Sequence, residues 1–201
     1  MAVATGSTIT RTRTGAATFA AFAAFASLLY ILAFRFLLND ETDRELTATG
    51  LATAFNVVIA LSLVGLVVTV PSALSSWPRF PVLASAAALA LTAAAMLAFG
   101  TIGAIFASSV SDDTWNDAPT TNALPFLLLF LPKMVTGLVG FVGLAVVGRR
   151  HRLASVGQTA LLVVAGLAFL VPPPPPAALL ASLALLWLVV ARREPVVDAG
   201  E

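Results

Sequence analysis

LPFLLLFLPKMVTGLVGFVGLAVVG, residues 124–148, is the stretch that decides the fold, and Lys133 is its one charged residue. A helix rises about 1.5 Å per residue, so about 20 apolar residues cross a hydrocarbon core of about 30 Å. This stretch is longer than that and is apolar around its whole circumference, which is typical of a helix surrounded by lipid. We therefore interpret it as a transmembrane helix.

Composition extends this interpretation to the whole chain. Of its 201 residues 59% are hydrophobic and 10% are charged, against about 25% charged in soluble domains. The sequence predicts an all-α, polytopic integral membrane bundle, one transmembrane domain over 1–201 with short tails at 1–15 and 192–201. Its six transmembrane helices are expected at about 16–38, 51–70, 81–106, 124–148, 153–171 and 177–191.

Two of these stretches need comment. The first follows Arg11 and Arg13 as a signal peptide would, but its apolar run to residue 38 exceeds a signal core of about 7–15 residues, which favours an uncleaved anchor. The sixth is short and follows five consecutive prolines, 172–176. We expect this tract to form a stiff turn, with Pro176 at the first position of the sixth helix.

Charge orients the helices. Alternate connections and the two tails hold eight of the eleven Lys and Arg residues: Arg11, Arg13, Arg79, Arg149, Arg150, Arg152, Arg192 and Arg193. The connections at 39–45 and 107–123 are acidic instead. By the positive-inside rule, both termini face the cytoplasm. Ten Arg against one Lys, with many Ala, Val and Leu residues, indicate a GC-rich prokaryotic genome, so we expect the chain in the plasma membrane of a prokaryotic cell.

Lys133 is the most informative polar position. It lies nine residues into the fourth stretch, about 14 Å deep, directly after Pro132, which breaks one backbone hydrogen bond and favours a kink. A charge beside a broken helix can line a substrate cavity, as in transporters. The structural alternative is a lysine whose stem carries the charge outward, or one packed in a neutral form.

Arg35 and Asn56 are the other polar candidates within the predicted spans. Arg35 lies near the outer end of the first stretch, where its charge can reach the headgroups, or it joins Lys133 in a cationic cavity. Asn56 either hydrogen-bonds to Arg35 or links two helices. In the fourth stretch Gly137, Gly140 and Gly143 predict close helix packing, with a hinge at Gly137 as the alternative.

No catalytic residue, metal site or cofactor site is assigned. The chain lacks cysteine, has a single histidine, His151 in a basic loop, and places no Asp, Glu or His within a predicted span. The acids Asp112, Asp113 and Asp117 beside Trp115 are interpreted as a solvated loop rather than a cation site. An enzyme is not expected, although a Ser–Lys dyad at Lys133 stays open.

Two function classes follow from this. The first is a non-catalytic membrane component that associates with a partner membrane protein or with a second copy of itself. The alternative is a small permease or ligand-binding protein with Lys133, and Arg35 beside it, in its cavity; a membrane enzyme comes third. The expected partners are the bilayer and membrane protein, with no nucleic acid and an undefined small-molecule ligand.

Overall fold

The computed structural model describes residues 4–36, 50–109, 111, 123–171 and 174–191. In these ranges every regular element is an α-helix. The helices are α1 (Ala4–Phe36), α2 (Leu51–Ala73), α3 (Arg79–Ser109), α4 (Ala123–Arg150), α5 (Val156–Ala168) and α6 (Pro174–Val190). The prediction of an all-α chain is confirmed.

Four helices contain segments long and apolar enough to cross a membrane. These segments are Arg11–Ala33, Leu51–Ala73, Arg79–Ser109 and Phe130–Arg150. The two remaining helices are shorter, with 13 residues in α5 and 17 in α6. Four of the six predicted spans therefore have the length that a crossing requires.

The helices α5 and α6 differ from their predicted ranges for local reasons. Ser155 accepts a hydrogen bond from the backbone of Gln158 and so starts α5 after residue 155, while residues 169 and 170 form a turn beyond its end. Helix α6 begins at Pro174 rather than at Pro176. Prolines are tolerated there because the first-turn N–H groups have no acceptor within the helix.

Consecutive helices pack side by side, and the bundle is closed by α6 against α1. Helix α6 also touches α2 and α3, so it lies toward the middle of the bundle. Neighbours run antiparallel: Gly140 of α4 lies against Ser85 of α3, and Gly143, further along α4, lies against Pro81, earlier in α3. At each end of the bundle, the C-terminal end of one helix therefore lies next to the N-terminal end of a neighbouring helix.

Along helix α1, small residues face inward and large apolar ones face outward. Helix α1 buries Ala16, Ala20 and Ala23 completely, whereas Phe22 and Phe25 are 59% and 62% exposed. Small interior residues let helix backbones approach closely, and exposed aromatic side chains suit a hydrocarbon solvent. The exposed aromatic face of α1 is thus compatible with a membrane environment.

One end of the bundle is basic. Trp77, from the α2–α3 turn, meets Gly148 at the end of α4, and Gly148 also meets Ala154 from the α4–α5 turn. We call this the arginine end, because it holds the exposed or partly exposed residues Arg11, Arg13, Arg79, Arg149, Arg150 and Arg152. All ten Asp and Glu residues lie outside the described ranges, so the described charge here is wholly positive.

Candidate functional site

Helix α4 continues through Pro132 to present Lys133. Proline lacks the N–H that would bond to the carbonyl of residue 128, so one bond of the helix ladder is missing. One turn later the Thr136 hydroxyl donates to the carbonyl of Pro132 at 2.7 Å. Lys133 thus lies in a continuous helix that lacks one backbone hydrogen bond in the turn just before it.

Lys133 is completely buried, with 0% of its surface exposed. Its ammonium nitrogen lies 4.3 Å from the centroid of the Phe130 ring, one turn earlier in α4, within the range of a cation–π contact. It also lies 3.5 Å from the carbonyl oxygen of Val171, the outer limit of a hydrogen bond. The amine is therefore packed among protein atoms.

The end of α5 explains why a cation suits this position. Helix α5 stops at Ala168, and the turn that follows brings Val171 to Lys133. The carbonyls of Gly166, Leu167 and Ala168 already accept from the backbone N–H groups of this turn. The carbonyl of Val171, by contrast, is followed by five prolines, which have no N–H to donate to it. Lys133 thus supplies a donor to a carbonyl just beyond the end of α5.

The three glycines of α4 lie in its contacts with α5 and α3. A methyl group added at Gly137 would come within 2.6 Å of Cβ of Phe169, whose ring stacks on Phe141 with centroids 5.3 Å apart. One added at Gly140 would come within 2.7 Å of Cα of Ser85. One added at Gly143 would meet Cβ of Pro81 at 3.1 Å. Gly140 is the most constrained, because its neighbour is backbone.

Asn56 is buried in a different contact. It packs against Gly100 of α3, where an added methyl group would lie 3.0 Å from its Cβ and its Nδ2. The hydroxyl of Thr53, one turn earlier in α2, donates to the carbonyl of Gly100 at 2.7 Å. Asn56 therefore belongs to the α2–α3 contact and Lys133 to the α4–α5 contact, so the structure does not bring these two candidates together.

Several other predicted residues can be located only in part. Arg35 lies in α1, but its side chain is outside the described residues, as are Asp112, Asp113, Asp117 and Trp115. His151 is exposed at the arginine end. Within the described ranges His, Cys, Asp and Glu form no cluster that could hold a metal ion.

Sequence reasoning missed the polar link between α5 and α6. Ser155 and Gln158 form a reciprocal capping box at the start of α5, and the Gln158 amide also donates to the carbonyl of Trp187 at 3.2 Å. The signal was present as Ser-x-x-Gln ahead of an apolar run, the sequence signature of a capped helix start. The Val171 contact of Lys133 has no such local signal, because it joins residues 38 positions apart.

A cavity of about 300 Å³ opens at the arginine end, between the end of α2 and the start of α3. Its lining includes Ser72, Ser75, Trp77 and Arg79 together with apolar side chains. Lys133 and Asn56 are not part of it. Lys133, Asn56 and this cavity therefore lie in three separate parts of the bundle, apart from the Gln158 link between α5 and α6.

Two buried hydroxyls of the described residues are already engaged in hydrogen bonds. The buried hydroxyls of Ser85 and Thr92 donate to carbonyls within their own helix, those of Val82 and Ala88.

Comparison with models of protein families, with curated proteins and with solved structures gives no match for this chain.

Proposed function

We propose that the chain is a six-span integral membrane protein with both termini on the cytoplasmic side. The distribution of charge supports this orientation, because six described arginines share one end of the bundle and cytoplasmic loops carry an excess of arginine. The four long apolar helices support the membrane location.

The two short helices complete the six-span arrangement. Helix α5 measures about 20 Å and α6 about 26 Å, each less than a hydrocarbon core of about 30 Å. The turn of residues 169–171 adds length at the end of α5. The remaining difference between helix length and hydrocarbon thickness is met by local thinning of the bilayer, or by the longer helices α3 and α4 shielding the ends of α5 and α6 from lipid.

Within the membrane the protein acts as a non-catalytic component that associates with a partner membrane protein or with a second copy of itself. The observation that carries this proposal is the complete burial of Lys133 between Phe130 and Val171. A lysine in a substrate cavity meets water, and a catalytic lysine must be reached by its substrate. Lys133 has the surroundings of a residue that stabilises the bundle.

The outer faces of the bundle leave room for association. Large apolar side chains are exposed on α1 and α3, among them Phe22, Phe25, Ile102 and Ile105. In a bilayer such faces contact lipid or another helix, and packing is the main force between helices there. The permease with Lys133, Arg35 and Asn56 is the competing proposal; it requires water to reach Lys133.

Native mass spectrometry of the full chain, extracted in mild detergent, tests the association. We expect an assembly heavier than one chain, and we expect the Lys133→Met variant to retain it because Lys133 is internal. A wild-type chain that stays a lone monomer in mild detergent, and also in nanodiscs, contradicts the proposal. An assembly that Lys133→Met abolishes contradicts the internal role of Lys133.

A further inference from the structure

The cavity at the arginine end has the lining of a headgroup site. It is bounded by the end of α2, the α2–α3 turn and the start of α3, through Ser72, Ser75, Trp77, Arg79, Val82 and Leu83 among others. Arg79 and the two serines are exposed and supply donors, whereas Val82 and Leu83 form an apolar wall. One small space thus offers both a cation with hydroxyl donors and an apolar surface.

Electrostatics at this cavity favour an anion. Arg79 is the first residue of α3, whose N-terminal end attracts negative charge, whereas the C-terminal end of α2, which also borders the cavity, repels it. The preference for an anion therefore comes from the Arg79 guanidinium. The indole of Trp77 packs on Gly148, which directly precedes the exposed Arg149 and Arg150 in the sequence, so two further arginines belong to the same end of the bundle.

The apolar wall distinguishes a lipid from a free anion. Leu83 is 57% exposed and the neighbouring Phe80 is 73% exposed, so the cavity opens toward a surface that suits acyl chains. Tryptophan near the headgroup level is typical of a membrane interface. A volume of about 300 Å³ is at the lower limit of small-molecule pockets, enough for a headgroup and no more.

We propose that this cavity binds the phosphodiester headgroup of an anionic phospholipid, with Arg79 on the phosphate and the acyl chains along Leu83 and Phe80. The hydroxyls of Ser72 and Ser75 donate to the remaining headgroup oxygens. Basic pockets between transmembrane helices bind anionic headgroups in this way. The proposal requires the chain to lie in a membrane and does not depend on its association with a partner.

Lipid binding to the purified full chain tests the proposal by native mass spectrometry. Phosphatidylglycerol is expected to bind more tightly than phosphatidylcholine with the same acyl chains. The Arg79→Gln variant should weaken phosphatidylglycerol binding by about fivefold, the factor that about 1 kcal/mol represents. The matched control Arg11→Gln removes a charge from the same end but outside the cavity lining, and should weaken it by less than about twofold because screening limits distant charges.

A second variant tests the shape of the cavity without changing its charge. Ser75→Phe fills the space and should reduce phosphatidylglycerol binding as much as Arg79→Gln does; it decides the question if Arg79→Gln does not fold. Equal binding of the two lipids, or equal losses in Arg79→Gln and Arg11→Gln, would overturn the proposal. Displacement of the lipid by an equal concentration of inorganic phosphate would overturn the lipid assignment in favour of a free anion site.

Discussion

The ammonium nitrogen of Lys133 lies 3.5 Å from the carbonyl oxygen of Val171, at the end of the short helix α5. The contact is long, and the side chain around it is fully buried. Burying a charge is costly, and so is leaving a carbonyl without a donor; the five prolines after Val171 supply no N–H to its carbonyl. Lys133 and the end of α5 therefore offset part of each other's cost.

The first prediction separates the stem of Lys133 from its charge. Lys133→Met keeps the volume and should change the free energy of unfolding by less than about 1.5 kcal/mol, because the lost contact with Val171 is balanced by no longer burying a cation. Lys133→Ala removes the stem and should cost about 2–5 kcal/mol. Unfolding in mixed micelles measures both; equal losses in the two variants would show that the ammonium itself is required.

The second prediction concerns the contact between α3 and α4. Gly140→Ala places a methyl group against the backbone of Ser85, which cannot move without separating the helices, and should destabilise the bundle by about 1–3 kcal/mol. Gly15→Ala is the matched control, because its methyl group would lie 3.8 Å from Thr69. Thermal unfolding in detergent compares them. Equal stability of the two variants would mean that α4 does not depend on this close approach.

The third prediction concerns the number of spans. Cysteines introduced into this cysteine-free chain by Asp117→Cys, Arg152→Cys and Pro173→Cys report the side of the membrane on which each residue lies. With six spans, a membrane-impermeant thiol reagent added from outside labels Asp117→Cys and Pro173→Cys but not Arg152→Cys. Labelling of Pro173→Cys from the same side as Arg152→Cys would show that α5 and α6 do not cross.

The sequence predicts the helices well because apolar run length is a local property. The start of α2 at Leu51 was predicted to the residue, and α4 extends its predicted range by one residue at its start and two at its end. Helix α1 was predicted from residue 16 but begins at Ala4, since a helix outside the hydrocarbon need not be apolar. Membrane hydropathy marks the span and not the whole helix.

The candidate site was less accessible to sequence reasoning, because its contacts join distant parts of the chain. Lys133 could be identified from its charge and its position beside Pro132, but the approach of Val171 depends on where α5 ends. Likewise, the similar depth of Arg35 and Asn56 along their helices suggested that the two could form a hydrogen bond. The neighbour that the structure gives Asn56 is Gly100, and this contact depends on how α2 packs on α3. Shared depth does not establish that two side chains meet.

Thiol accessibility at position 133 tests the internal role of Lys133 most directly. In intact membranes a water-soluble thiol reagent should leave Lys133→Cys unlabelled, as it leaves Leu144→Cys, a fully buried position on the same helix, while Asp117→Cys reacts. All three should react once the protein is unfolded. Labelling of Lys133→Cys in the folded protein at a rate close to that of Asp117→Cys would contradict a packed lysine and favour a water-filled cavity.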